Sequence, residues 1–253
     1  MVTKGTDDHA LAARAASGAG EMLMRLREDL FSGRQRHWGW PEEQADEAGH
    51  DFLMALLQKA RPDDAILSEE GDDGRNRLEY GRVWIVDPLD GSSSFGRGAD
   101  DWAVHVALVE DGEPIAGAVS LPTTGSVFST GLSPHVPAQR GKRPVVVTGR
   151  SRVHSDGQIV AAALDAELAA CSSAGVKAML VVMGDADVYV HGGPLHEWDV
   201  CAPAAVAQAA GLHVSGVNGA ELTFNQDHPV SPGLLICRPE YAETVISAMG
   251  YAV

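Results

Sequence analysis

Apolar residues recur along this chain with two periods, and the switches between them mark its elements. Over residues 6–30, Leu11, Ala15, Ala19, Met22, Leu23, Leu26 and Leu30 return at three- and four-residue steps, which predicts an amphipathic helix with one buried face. Residues 41–60 repeat that pattern with Ala45, Phe52, Leu53, Leu56 and Leu57. Pro41 suits a first helical turn, and Glu42 and Glu43 favour its positive end. Short apolar runs then predict strands at 65–67, 83–86, 102–109, 114–121 and 126–130, with Glu110-Asp111-Gly112-Glu113 as a hairpin turn. The second half restarts with a strand at 145–147, a helix over 153–170 and another over 178–183. A strand at 188–191, a helix over 200–210, a strand at 234–237 and a helix over 239–249 follow. Residues 133–144 hold three prolines and three basic side chains, and mark the junction between a first unit, 1–142, and a second, 143–253.

Charge narrows what such a mixed α/β chain can bind. With 35 acidic against 19 basic residues the formal charge is −16, which excludes extended contact with a nucleic acid polymer or an anionic membrane. A small anionic substrate binds only where metal ions reverse the local field. Cys171, Cys201 and Cys237 are odd in number and lack any C-x-x-C pair, as in a reduced, cytoplasmic protein. The N-terminus carries Asp7, Asp8, Arg14 and Glu21 rather than a secretory pattern, and no uncharged run approaches the roughly 20 residues of a membrane span. A homodimer is left open.

The chemistry concentrates at 82–95, R-V-W-I-V-D-P-L-D-G-S-S-S-F. A buried strand is expected to stop at Pro88, leaving Asp87 and Asp90 on a stiff turn. Gly91 and three serines follow, and glycine with consecutive N–H groups and hydroxyls can cradle phosphate oxygens. Paired hard carboxylates beside such a cradle suggest Mg²⁺ holding a phosphate. A plain turn would use the same residues. His105, between apolar neighbours, reads as a core histidine. Arg34, Arg36 and His37 read as a solvated basic loop, with a phosphate contact as the alternative. Cys171 to Lys177 is a Ser/Gly turn opening a helix, either an ordinary capped start or an anion site completed by one ammonium. Asp199 suits a helix N-cap.

D-P-L-D-G-S-S-S-F resembles the signature of the inositol monophosphatase-like, lithium-sensitive, Mg²⁺-dependent phosphatases. Leu67-Ser68-Glu69-Glu70-Gly71 resembles that family's glutamate pair. Glu197-Trp198-Asp199-Val200-Cys201-Ala202-Pro203 resembles its W-D-x-x-A-[PG] motif, with Gly211 at the usual distance beyond. The resemblance implies a five-layered α-β-α-β-α sandwich of two sub-domains with the site between them. It further implies two or three Mg²⁺ ions held by Glu69, Asp87, the Leu89 carbonyl, Asp90 and Asp199. Asp46 then matches an aspartate that helps orient the attacking water, and the Ser92 hydroxyl would pass that water's proton toward Asp46 or Glu69. Gly91, Ser92 and Ser93 hold the phosphoryl group.

Within the family the chain most resembles the 3′(2′),5′-bisphosphate nucleotidases. Ser173 and Lys177 would line the substrate pocket, with His191 where relatives often carry arginine. That implies removal of the 3′-phosphate of 3′-phosphoadenosine 5′-phosphate or a related nucleotide. Hydrolysis of an inositol, sugar or nucleoside monophosphate is the alternative, and a non-catalytic binder of phosphorylated ligands is a third reading.

Overall fold

The computed structural model describes residues 8–32, 40–71, 75–132, 134–139, 141, 143–150 and 153–251. Arg34, Arg36, His37, Arg140 and Lys142 lie outside them. The first half runs α1 (Asp8–Phe31), α2 (Pro41–Ala60), β1 (Ala65–Ser68), β2 (Arg82–Asp90), α3 (Ser92–Gly96), β3 (Ala103–Glu110), β4 (Glu113–Leu121) and β5 (Ser126–Ser129). The second runs β6 (Val145–Gly149), α4 (Gln158–Leu164), β7 (Glu167–Cys171), α5 (Ala174–Met183), β8 (Val188–His191), β9 (Leu195–His196), α6 (Glu197–Ala209), β10 (His213–Ser215), β11 (Val230–Ser231), β12 (Leu234–Cys237) and α7 (Ala242–Ala248).

Two five-stranded sheets carry the structure, in the orders β1-β2-β3-β4-β5 and β10-β12-β8-β6-β7. Their central strands are apolar on both faces because both faces are covered. Along β2 and β3, Trp84, Val86, Val104, Val106 and Leu108 pack under α1 and α2. The alternate residues Val83, Ile85, Ala103, Ala107 and Val109 join α5, α6 and the inner face of the second sheet. The second sheet repeats this alternation, with Val147, Tyr189, Leu234 and Ile236 inward and Val146, Val188, Val190 and Leu235 against α4 and α7. The layers are therefore α1/α2, sheet, α5/α6, sheet, α4/α7, a five-layered α-β-α-β-α arrangement.

One predicted helix loses its last third. Residues 153–170 were expected to be continuous, but α4 ends at Leu164, where Asp165 enters the left-handed region at φ +48°, and β7 follows, parallel to β6. Glu-Leu-Ala-Ala-Cys favours helix by local propensity, yet β6 presents an edge for it to extend. Among the described residues no helix is long and apolar enough to cross a membrane.

Candidate active site

The site begins with a parity problem in β2. Asp87 follows Val83 and Ile85 on the face toward α5 and α6, so Asp90, three residues on, should point the opposite way. The pairing slips between Asp87↔His105 and Asp90↔Ala103, so three steps on β2 match two on β3. That extra residue returns Asp90 to the face of Asp87. Here the expected strand end is corrected: the strand does not stop at Pro88 but passes through it, because an irregular step has no ladder bond for proline to break. The Leu89 N–H donates to Asp87 Oδ1 at 3.0 Å, which tightens the step. Gly91 sits at φ +95°, and a Cβ there would lie 2.9 Å from the Asp101 carbonyl, so glycine is required on both counts. Ser92 and Ser93 then open α3, whose first N–H groups lack partners within the helix.

Asp90 docks onto the start of α5. It accepts from the Ser173 hydroxyl, from Ala174 N at 3.1 Å and from Gly175 N at 2.7 Å. His105 Nε2 stands 3.2 Å from it as an ion-pair contact, while Nδ1 lies 3.0 Å from the Trp198 carbonyl. His105 is a core histidine, but one aimed at the site. It shares a face with Ala103 and Ala107, where the core layer ends at two helix N-termini. Burial alone would raise Asp90, yet the charges of His105 and Lys177 and the Ser173 hydrogen bond hold it down to about 2.

Asp199 arrives on the first turn of α6. It is not the N-cap expected of it; that position is His196, whose N–H donates to Asp199 Oδ2 at 3.1 Å in a capping box. Asp87, Asp90 and Asp199 can each present an oxygen within 4.8 Å of the others. Glu69 follows the end of β1 beside Asp87, and Asp46 on α2 faces Glu69 and Glu70. Crowding raises the proton affinity of this group. Burial and the charges of Glu69, Asp90 and Asp199 push Asp87 well up. Desolvation in the cleft, with Asp199 and Glu70, brings Glu69 to about 7. Burial and neighbouring carboxylates bring Asp46 to about 7 and Asp199 to about 6. Converging carboxylates that repel one another suit a hard divalent cation, which takes oxygen ligands and removes the repulsion.

Both residues expected to line the substrate pocket have their polar groups engaged within the chain, although Lys177 does border the adjoining cavity. Ser173 is fully buried, donating to Asp90 and accepting from Val176 N as the N-cap of α5. Lys177 is 2 % exposed, and its ammonium donates to the carbonyls of Cys171, Ser172 and Ser173 at 3.4, 2.6 and 2.7 Å. With three donors on three carbonyls, it braces the turn that receives Asp90. His191 does reach the adjoining cavity of about 330 Å³, together with Arg150 and Tyr189, which the sequence pattern did not single out. A larger groove of about 560 Å³, between α1 and α6, includes none of the three clustered aspartates.

The raised carboxylates make a stability prediction. Their folded affinities exceed the ordinary values of 3.8 and 4.5, so between pH 4.5 and 7 the folded chain binds protons that the unfolded chain has released. Stability should fall as pH rises through that window, and His105, raised by Asp90 against the opposing effect of burial, acts in the same direction. Asp90, held low, contributes stability that is lost only in stronger acid. The metal-free Tm should therefore be several degrees higher at pH 5.5 than at pH 8. Added Mg²⁺ should raise Tm more at pH 8, where fewer protons compete with it for the carboxylates. Thermal scans at both pH values check this; a metal effect independent of pH would contradict it.

Two sheets interleaved with three helical layers, and carboxylates gathered at two helix starts, define a class. The chain belongs to the inositol monophosphatase family, whose model matches residues 7–249, and it is a hydrolase of phosphoric monoesters. It is 39% identical over 264 residues to the 3′-phosphoadenosine 5′-phosphate phosphatase of Mycobacterium leprae, covering 96% of this chain and 93% of that protein. It is 31% identical over 208 residues to the 3′(2′),5′-bisphosphate nucleotidase CysQ of Escherichia coli, covering 78% of this chain and 85% of that one. The crystal structure of CysQ from Bacteroides thetaiotaomicron superposes with a TM-score of 0.77 at 26% identity, over 93% of this chain and 98% of that one.

Proposed function

We propose that the protein removes the 3′-phosphate of 3′-phosphoadenosine 5′-phosphate with the help of two or three Mg²⁺ ions. The observation that carries this reading is the convergence of Asp87, Asp90 and Asp199 beside a cavity that Arg150, Lys177 and His191 also line. The relatives' names point the same way. Glu69, Asp87, the Leu89 carbonyl, Asp90 and Asp199 would hold the ions. When bound, they supply Lewis-acid charge to the phosphoryl oxygens and the leaving group, and acidify water.

The chain's own residues do the rest. Asp46 or Glu69, each with a proton affinity near neutrality, takes a proton from the attacking water through the Ser92 hydroxyl. Gly91, Ser92 and Ser93 direct N–H groups and hydroxyls at the transferring phosphoryl group. Asp90 is fixed by Ser173, Ala174, Gly175 and His105, so it meets an ion without reorganising.

Pure protein with Mg²⁺ should release phosphate from 3′-phosphoadenosine 5′-phosphate with a higher kcat/KM than from inositol 1-phosphate or adenosine 5′-monophosphate. A preference for either monophosphate would move the reading to a monophosphatase, and no release from any of them would leave a binding role.

A further inference from the structure

The cavity beside the clustered carboxylates holds a cation that the steps above leave unused. Arg150 follows the last residue of β6, Gly149, with its side chain 62% exposed. Its Nη2 lies 2.9 Å from Asp101 Oδ2, and its Nε donates to the Ser172 hydroxyl at 3.2 Å. Lys177 also lines the cavity, but its ammonium is committed to three carbonyls. Tyr189, another lining residue, is fully buried, and its hydroxyl has no hydrogen-bond partner among the described residues, a condition that buried polar groups rarely keep.

A second phosphate placed here would share the cavity with Asp90 and Asp199 in a protein of formal charge −16, so it needs a compensating cation. Arg150 can supply one cheaply. Its pairing with Asp101 is solvent-exposed and contributes little, whereas a guanidinium offers phosphate a two-pronged, charge-assisted contact. Asp101 would not be stranded, because it also accepts the Ser172 N–H at 3.0 Å and lies 3.7 Å from Cys171 Sγ.

Resting on the bisphosphate reading above, we propose that Arg150 is the specificity-determining residue for the second phosphate, exchanging Asp101 for the phosphate that is not being cleaved. The substrate class is then a nucleotide with phosphates on both sides of its ribose.

The test compares 3′-phosphoadenosine 5′-phosphate with adenosine 3′-monophosphate, which differ only in the 5′-phosphate. A wild-type ratio of kcat/KM at or below one would overturn the bisphosphate reading itself. Given a ratio above one, Arg150→Met should lower it by about ten- to a hundredfold, chiefly through KM, as loss of a hydrogen-bonded charge contact implies. Arg150→Lys, which keeps the charge without the fork, should lower it by less, and decides the matter if the methionine variant does not fold. An unchanged ratio, whether both substrates lose equally or neither does, would overturn the assignment while leaving the bisphosphate reading in place.

Discussion

Asp87→Asn is expected to lower kcat/KM at least about a hundredfold while leaving the protein folded, and in metal-free buffer at neutral pH its Tm should equal or exceed that of the wild type. Loss of one charged ligand weakens a site whose cation contributes several kcal/mol to the transition state, and about 1.4 kcal/mol is a tenfold change in rate. Stability goes the other way because Asp87 is 1% exposed and crowded by carboxylates, so its charge is unfavourable until a cation arrives. Asparagine has the same shape and keeps an oxygen for the Leu89 N–H. The Mg²⁺-induced rise in Tm should shrink in parallel. Near-normal turnover in the folded variant would show that Asp87 holds no ion.

Asp90→Asn, which the sequence alone marks as an equivalent test, is a different experiment. Asp90 faces donors from Ser173, Ala174 and Gly175, with His105 beside it. An amide there would turn its own N–H groups against donors, so activity and fold would fall together.

Gly175→Ala should cost both stability and activity, against what helix propensity implies. In the first turn of α5, alanine in place of glycine would by itself favour the helix by up to about 1 kcal/mol. The added methyl, however, would overlap His105 Nε2 and lie 3.0 Å from Ala103 Cβ. His105 is fully buried and cannot swing away without leaving Asp90, and α5 cannot retreat without breaking the Gly175 N–H bond to the same carboxylate. Overpacking of this kind costs roughly 1–3 kcal/mol, and Tm should drop by about 2–4 °C for each kcal/mol in a chain of this size. The displaced Asp90 should lower kcat more than tenfold. A double-mutant cycle with His105→Ala isolates the clash: the added alanine at 175 should cost far less stability when residue 105 is small. A Gly175→Ala protein as stable as the wild type, with no coupling to position 105, would contradict this packing.

The chain's own pattern determined most of the architecture. Helix-period repeats in α1 and α2 and doubly apolar runs in β2, β3, β8 and β12 are local signals, and each forms where its period says. The acidic motifs were legible too, since D-P-L-D-G-S, the glutamate pair and W-D keep their residue types within a few positions. What sequence could not decide depends on contacts between distant segments. Residues 167–171 carry helix-favouring side chains and become a strand because β6 offers an edge. Asp87 and Asp90 share a face only through a slip in register against β3; Pro88 announces an interruption, but not that the strand resumes beyond it. Lys177 sits in a turn that looks made for an anion, yet its reach and burial hand it to three carbonyls of its own chain. His105, Gly175 and Asp90 lie far apart in sequence and meet where the end of a sheet abuts a helix N-terminus. Their roles are set by distances that only the assembled layers define.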